Sequence, residues 1–206
     1  MSEGNRFDEA AATWDEKPRR LKMAHDVAAE IGRRVVLSRE LDVLDFGCGT
    51  GLLTLELQPL VRSVTGVDTS PAMLDVLAAK VRERGIPNVA TVPLADAALP
   101  ALPAGPFDIV VSSMVLHHVE DLSPLFRAFR RALRPGGRVA LADLDTEDGT
   151  FHEDPRQVHH LGFERSEIAA LLEDAGFDGV SATTAAVVRK DDREYPIFLV
   201  TGTRPG

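Results

Sequence analysis

Cysteine is almost absent from the sequence, since Cys48 is the only one among 206 residues. A single thiol excludes an intrachain disulfide and a metal centre built from several thiolates, and it fits a reducing compartment. No stretch approaches the roughly 20 apolar residues of a membrane-spanning helix. The first 18 residues also lack the apolar core of a signal peptide. We therefore expect a soluble protein of the cytoplasm.

Positive charge is scarce as well. Lysine and arginine total 23 against 32 aspartate and glutamate residues, which gives a formal net charge of −9. Such a chain repels a polyphosphate unless it carries a local basic patch. The densest basic run (Lys17, Arg19, Arg20 and Lys22) is interpreted as the solvated start of a helix. Neither nucleic acid nor a membrane is expected as a partner, and the oligomeric state is not predictable.

Repeats and low-complexity linkers are also missing. Short β-branched runs alternate instead with segments of helical period, a pattern typical of βαβ units and a parallel sheet. The predicted strands are 41–46, 63–68, 88–93, 107–112, 138–144, 179–188 and 195–203. The predicted helices are 20–37, 51–58, 71–85, 123–135 and 166–176. The last two strands form a hairpin, so we expect an α/β fold with a doubly wound, mostly parallel seven-stranded sheet and an antiparallel last strand.

Three glycines at alternate positions follow the first predicted strand, in the segment VLDFGCGTG (43–51). Glycine permits a tight turn and a close approach by a ligand, and the exposed amides of such a turn can hold a carboxylate or phosphate. Asp45 could accept hydrogen bonds from an amine. The dinucleotide fingerprint G-x-G-x-x-G is not matched, because Leu52 stands at its third glycine. This departure argues against NAD(P) and FAD without deciding the matter.

Two further carboxylates follow predicted strands. Asp68 ends the second strand, where a carboxylate can accept hydrogen bonds from both hydroxyls of a ribose, while Ser70 is expected to cap the next helix. Asp96 follows the third strand and could accept a hydrogen bond from an adenine amino group. Each residue is a weak indication alone, and their order along the chain strengthens the case for a nucleoside ligand.

Five ordered stretches resemble the class I S-adenosylmethionine-dependent methyltransferases, specifically the small-molecule branch. They are VLDFGCGTG (43–51), GVDTSPAML (66–74), LADAALP (94–100), FDIVVSSMVLHHVED (107–121) and LRPGGRVALADLD (133–145). The resemblance implies a single domain with the Rossmann-like methyltransferase fold. In this domain 1–38 would be a helical cap, 39–145 the cofactor-binding core, and 146–206 a lid loop, the last helix and the terminal hairpin. The implied function is methyl transfer from S-adenosylmethionine to a small molecule, with S-adenosylhomocysteine as product.

The resemblance also implies a set of cofactor-binding residues. Asp45, Gly47, Cys48, Gly49 and Gly51 would hold the amino-acid end. Asp68 and Thr69 would hold the ribose, Ser70 and Met73 would lie beside the adenine, and Ala95 with Asp96 would bind its edge. Ser112 would line the methyl-donor cavity, and Trp14, in an F-x-x-x-A-x-x-W-D pattern, would cover the cofactor. A tryptophan packed on the core is the alternative for Trp14.

Catalytic candidates are histidines, because a methyl acceptor that arrives protonated needs a base. His117 and His118 follow the fourth strand, where a structural role in the loop is the competing interpretation. The loop 145–164 adds His152, His159 and His160 among five carboxylates. It is interpreted as a solvated acidic lid, as a source of a base or orienting group, or as a divalent metal site. The spacing matches no recognised metal motif, so no metal is predicted.

Two other functions stay open. A non-catalytic module that binds S-adenosylmethionine would keep the same cofactor residues. An NAD(P)-dependent oxidoreductase would use a related sheet, but the missing third glycine and the LRPGG stretch argue against it. The core strands carry no large insertion between them, which favours a small acceptor over a macromolecular one.

Overall fold

The computed structural model describes residues 6–97 and 101–206. Its strands are β1 (Asp42–Phe46), β2 (Ser63–Asp68), β3 (Val89–Pro93), β4 (Phe107–Ser113), β5 (Leu133–Leu144), β6 (Asp178–Lys190) and β7 (Arg193–Thr203). Its α-helices are α1 (Arg6–Ala10), α2 (Pro18–Arg34), α3 (Leu52–Leu57), α4 (Pro71–Glu83), α5 (Leu122–Ala132) and α6 (Arg165–Asp174). The start of the predicted cap (1–5) and the end of the LADAALP stretch (98–100) lie outside the described residues.

The strands form one seven-stranded sheet in the order β3-β2-β1-β4-β5-β7-β6. Strands β1 to β5 pair in parallel, and β7 pairs antiparallel with both β5 and β6. The prediction of a mostly parallel sheet with a reversed last strand is confirmed. The strand order changes direction between β1 and β4, and in such sheets ligands bind in the crevice at the carboxyl ends of the strands flanking that point.

Both faces of the sheet are buried. On one face Val27 and Ile31 of α2 and Leu57 of α3 pack with apolar residues of the strands. On the other face, Phe126 and Phe129 of α5 pack with Phe46 and with α6. Full burial of each such side chain contributes roughly 1.5–3 kcal/mol relative to exposure, so these two layers hold the carboxyl ends of the strands rigidly in place.

The Pro135-Gly136-Gly137 segment differs from the prediction of a stop between a helix and a strand. Leu133 already pairs with Phe107, and an irregularity in the register precedes the next pair, Ile109 with Arg138. The Gly136 amide donates to the Arg204 carbonyl at 2.8 Å, and the Arg204 amide donates to the Gly137 carbonyl at 2.7 Å. The C-terminal tail therefore satisfies this irregular backbone and lets it continue β5.

The segment before α2 is more ordered than the sequence indicated. A 3-10 helix (Ala11–Glu16) joins α1 to α2. The Asp8 carboxylate of α1 accepts hydrogen bonds from the Ser70 hydroxyl at 2.5 Å and the Ala72 amide at 3.2 Å. These bonds fix the segment to the first turn of α4, beside the carboxyl end of β2. Among the described residues, no helix is long and apolar enough to cross a membrane.

Candidate functional site

A cavity of about 330 Å³ opens at the carboxyl ends of β1, β2 and β4. The glycine turn after β1, the end of β2 and the segment after β4 form its floor. The N-terminal segment (6–24) and the loop residues Phe151 to Asp154 form its other walls. The predicted site residues on its wall are Trp14, Gly47, Cys48, Gly49, Asp68, Thr69, Met73, His117 and His152. The fold therefore brings to one cavity nine predicted residues that come from several separate sequence motifs.

The glycine turn is shaped by two different constraints. Gly47 has φ +69°, and a Cβ there would lie 2.3 Å from the Val115 side chain. Gly49 has φ +53°, and the heavy atom nearest to a Cβ added there is the Met73 sulfur, at 4.0 Å. Packing thus requires glycine at 47, whereas at 49 the space beyond the backbone belongs to the cavity. A ligand can approach the Gly49 backbone where any side chain would stand.

The amides of this turn are not free to bind an anion, contrary to the expectation from sequence. The Gly47 and Cys48 amides donate to the Val67 carbonyl at 2.8 and 3.0 Å. The Gly49 amide donates to Asp68 Oδ2 at 2.8 Å. Since these three donors are used within the protein, the turn offers a ligand close approach to its backbone rather than these amides.

Two carboxylates beside the turn, Asp68 in the cavity wall and Asp45 behind it, favour a hydrogen-bond donor or a cation. Burial raises the pKa of Asp68, although it accepts hydrogen bonds from backbone amides that include Gly49 and Ser70. Burial also raises the pKa of Asp45 to about 7, against the hydrogen bond from Thr54 and with a further contribution from the charge of Asp68. Asp45 lies just behind the cavity wall, where its Oδ2 accepts from the Thr54 hydroxyl at 2.5 Å. A cation beside the turn would relieve the cost of both charges.

The N-terminal segment carries an aromatic wall. The Arg20 guanidinium lies 3.5 Å from the centroid of the Trp14 ring, and its Nη1 donates to the Trp14 carbonyl at 2.9 Å. Phe7 packs against Trp14 at a centroid distance of 5.9 Å. Asp15, next to Trp14, accepts a hydrogen bond from the Thr50 hydroxyl at 2.6 Å and pairs with Lys80. These contacts hold Trp14 over the glycine turn.

The basic run at the start of α2 is part of the site, which corrects its interpretation as a merely solvated helix start. Lys17 and Arg19 both line the cavity, and both pair with Glu153 of the loop, at 3.1 and 2.8 Å. Their hydrogen bonds lower the pKa of Glu153 to about 2. Ion pairs at the cavity wall therefore join the N-terminal segment to Glu153 of the loop.

His117 forms a buried pair with Asp143. His117 Nδ1 lies 2.6 Å from Asp143 Oδ1, and the His117 amide donates to Oδ2 at 3.3 Å. The two side chains are 1% and 0% exposed. Burial by itself raises the pKa of Asp143, but the charge and hydrogen bond of His117 outweigh burial and lower it. Nδ1–H therefore donates to an ionised carboxylate, and the other ring nitrogen, Nε2, points away from Asp143.

Two more imidazoles pack against His117, with ring centroids 3.9 Å away for His118 and 4.6 Å for His152. Burial lowers the pKa of His118 to about 3 and that of His152 to about 4. His118 Nδ1 lies 2.5 Å from the Gln157 carbonyl and its Nε2 lies 3.3 Å from Arg6 Nη2. A carbonyl only accepts and a guanidinium only donates, so His118 is a neutral imidazole with both nitrogens engaged.

The remaining predicted residues lie off the cavity wall. Among the catalytic candidates, the His159 amide donates to the His117 carbonyl at 2.9 Å, and His160 Nε2 lies 2.9 Å from the Val119 carbonyl. Both thus support the loop that carries His117. Ser112 is fully buried and donates to the Phe46 carbonyl at 2.8 Å, so Ser113 lines the cavity in its place.

The predicted cofactor residues off the wall are Asp45, Gly51, Ser70, Ala95 and Asp96. Ser70 caps α4 by accepting from the Met73 amide at 3.1 Å. Gly51 packs beside Leu77, which lies 2.3 Å from where its Cβ would stand. Ala95 and Asp96 are exposed and lie between Leu94 and Ala97, which do line the cavity. Within the described ranges, no group of three or more histidine, cysteine or carboxylate side chains could hold a metal ion.

Asp143 and Arg6 are the site residues that sequence reasoning missed. Asp143 is the single charged residue in the apolar run VALADL of β5, and a buried carboxylate needs a partner, so the sequence did carry a signal for it. Arg6 had none, because nothing local distinguishes it from a solvated arginine.

Comparison with known proteins agrees with this geometry. Residues 44–141 match the model of a methyltransferase domain. An uncharacterized methyltransferase of Schizosaccharomyces pombe is 33% identical over 171 residues, covering 75% of this chain and 60% of the relative. A ubiquinone biosynthesis O-methyltransferase of Methylobacterium sp. strain 4-46 is 34% identical over 161 residues, covering 71% of this chain and 64% of the relative. The chain therefore spans less than two thirds of these relatives.

Solved structures share the fold. Phosphoethanolamine N-methyltransferase 2 of Haemonchus contortus, in complex with S-adenosyl-L-methionine, superposes with a TM-score of 0.71 at 19% identity. The match covers 87% of this chain and 52% of that one. At this identity the likeness establishes the architecture, and the chemistry has to be argued from the residues of this chain.

Proposed function

Because the chain belongs to the class I S-adenosylmethionine-dependent methyltransferases, we propose that it methylates a hydroxyl oxygen of a small molecule. One observation carries the proposal: the cation-accepting end of the cavity, at Gly49 and Asp68, lies in the same enclosure as the His117–Asp143 pair. A binding site and a group able to take a proton therefore face one space.

The residues at the first end fit S-adenosylmethionine. Its α-ammonium and sulfonium groups are cations, and they suit a turn that lies beside two carboxylates. Asp68 would accept from the ribose, Met73 would lie beside the adenine, and Trp14 would cover the group from the N-terminal segment. When bound, the cofactor supplies a methyl group already activated for in-line displacement.

The chain's own contribution to the reaction is position and proton removal. Holding two reacting groups in line can contribute roughly 7–11 kcal/mol, and the rigid sheet edge provides that support. A hydroxyl acceptor would donate its proton to His117 Nε2. Asp143 keeps Nδ1 protonated and stabilises the imidazolium that results, as the acid of a catalytic triad does. Such a base contributes about 10²–10⁴-fold in rate.

The names of the relatives support oxygen as the methylated atom. The Methylobacterium relative is an O-methyltransferase, and so is the nocamycin O-methyltransferase of Saccharothrix syringae, which is 39% identical over 49% of this chain. A base would serve a hydroxyl, which arrives protonated at neutral pH, and it would serve a protonated amine equally. The names of the relatives are therefore what favours oxygen.

Calorimetric titration with S-adenosylhomocysteine tests the binding half of the proposal, with NAD⁺ as the comparison ligand. Gly49→Ala places a methyl group in the cavity, and we expect it to weaken S-adenosylhomocysteine binding by at least about tenfold. Gly85→Ala is the matched control, since Gly85 also has φ +61° and nothing lies within 4 Å of an added Cβ. Both variants carry the backbone cost of a left-handed alanine, so only cavity occupation distinguishes them.

Micromolar binding of S-adenosylhomocysteine by the wild type, retained in Gly85→Ala and lost in Gly49→Ala, is the expected result. Binding of NAD⁺ instead would make an oxidoreductase the better reading of the cavity. Tight binding of S-adenosylhomocysteine with no turnover of any hydroxylated acceptor, in a screen that measures its release, would favour the non-catalytic binding module.

A further inference from the structure

Two buried polar atoms on the wall of this cavity have no hydrogen-bond partner within the part of the chain that the structure describes. They are Arg6 Nε and His152 Nε2. Buried polar atoms are nearly always paired, so each unpaired one in a native fold calls for an explanation. Two such unpaired atoms on the wall of one cavity point to a bound ligand that would pair with them.

The Arg6 guanidinium is held in place but not neutralised. Nη1 donates to the Asp154 carbonyl, Nη2 donates to His118 Nε2, and the group lies 4.8 Å from the centroid of the Phe7 ring. Among the described residues, Arg6 forms no ion pair with any carboxylate, in contrast to Lys17 and Arg19 nearby. Burial lowers the pKa of Arg6, and the charge of Asp154 offsets only part of that effect while Arg156 adds to it.

The two imidazoles beside Arg6 add no charge of their own to this part of the cavity. His118 is engaged through both nitrogens as a neutral imidazole, and His152, 6.0 Å from it by ring centroids, is neutral as well. A neutral imidazole can turn an N–H toward an acceptor through its Nε2. Arg6 reaches this region through His118, whose ring packs on His117, so this end of the cavity lies beside the proposed base.

We propose that the cavity contains an anion subsite, formed by Arg6 and His152, that binds a carboxylate or another anionic oxygen group of the acceptor substrate. The anion would accept hydrogen bonds from Arg6 Nε and His152 Nε2 and so satisfy both unpaired atoms. The hydroxyl to be methylated would then face His117. This inference rests on the proposed function, and it adds to it the chemical class of the substrate.

The test uses two probes of nearly equal shape, 4-hydroxyphenylacetate and its uncharged analogue 4-hydroxyphenylacetamide. Each is titrated calorimetrically into the protein saturated with S-adenosylhomocysteine. The wild type should bind the carboxylate at least about tenfold more tightly than the amide, as expected for one charge-assisted hydrogen bond. Arg6→Gln should abolish that preference. Arg6→Lys, which keeps the charge and loses Nε, should retain only part of it.

Arg127→Gln is the matched control, because it removes the same charge from an exposed position of α5 that does not line the cavity. It should leave the preference intact. The proposal is overturned if the wild-type complex binds no 4-hydroxyphenylacetate, if it prefers the amide, or if Arg6→Gln keeps the preference.

A second arm separates the acceptor from the cofactor as the source of the anion. Arg6→Gln should bind S-adenosylhomocysteine with wild-type affinity. A tenfold loss there would mean that Arg6 holds the carboxylate of the cofactor, which overturns an acceptor subsite. Failure of the wild type to bind S-adenosylhomocysteine at all would remove the proposed function itself, and this result is distinct from the others.

Discussion

Asp45 offers a direct test of the electrostatics of the site. Its side chain is fully enclosed, and burial raises its pKa from an ordinary 3.8 to about 7. The native state therefore holds this proton more tightly than the unfolded state does. Stability from this group is greatest below pH 4 and is lost as the pH rises through about 7, because an ionised carboxylate must then stay buried.

The size of the effect follows from the two values. A tenfold change in proton affinity corresponds to about 1.4 kcal/mol, so the full difference is roughly 4 kcal/mol. The wild type loses about 3 kcal/mol of this stabilisation between pH 5 and pH 8.5. Asp45→Asn keeps an oxygen that can accept from the Thr54 hydroxyl but cannot ionise. The variant should therefore gain about 3 kcal/mol in unfolding free energy relative to the wild type across that interval.

Guanidinium unfolding of both proteins at pH 5 and pH 8.5, without ligand, measures this difference. Any fixed cost of the asparagine amide is the same at both pH values, so the change with pH isolates ionisation. Asp75→Asn, which removes an exposed carboxylate of α4, is the matched control. A free-energy difference between Asp45→Asn and the wild type that does not change with pH would refute the reasoning, since Asp45 would then be ionised throughout.

Four further outcomes are expected. Asp143→Asn should lower kcat by about 10²-fold or more while S-adenosylhomocysteine affinity stays the same, since only the orientation and charge of the base are lost; equal losses in both would mean a structural role. Burial raises the pKa of the Cys48 thiol well above its usual range, so iodoacetamide should label it slowly at pH 8 and rapidly after unfolding. Glu153→Gln breaks two exposed ion pairs, so it should cost less than about 1 kcal/mol in stability but speed S-adenosylhomocysteine release in stopped-flow experiments at low salt. Because the pKa of His118 lies near 3, far below 6.5, the native state disfavours its protonation and stability should fall as the pH drops from about 6.5 to 4; His118→Gln should flatten that fall in the same unfolding assay.

The fold was largely readable from the sequence because local signals and burial agree. Ser70 and Pro71 start α4 as capping chemistry predicts, and the apolar run 107–112 is a strand buried on both faces. The irregular start of β5 was not readable. Pro135 and two glycines normally interrupt a strand, and the partner that sustains this one is Arg204, nearly seventy residues further along the chain. Local patterns carry no information about that pairing.

Prediction of the site succeeded where the site depends on backbone conformation. It failed where the site depends on charges that tertiary packing brings together. Glycine spacing located the turn, but it suggested an anion there. The amides that would bind one are consumed by Val67 and Asp68, a fact that only the packing of β1 against β2 determines. The same packing places Asp68 in the cavity wall and Asp45 behind it, so this end of the cavity favours a cation.

The opposite end acquires its character from chain segments that are far apart in sequence. Arg6 and His152 both line the cavity, where Asp8 anchors α1 to α4 and Glu153 joins the loop to the N-terminal segment. The cavity thus carries opposite charges in two places, with Asp68 beside the glycine turn and the Arg6 guanidinium on the wall of the N-terminal segment. A cationic methyl donor would lower the electrostatic cost of the carboxylates, and an anionic acceptor would lower that of the Arg6 guanidinium. With the two ligands placed in this way, the His117 pair lies beside the acceptor. Charge alone therefore gives the two ligands distinct places, before any shape complementarity is considered.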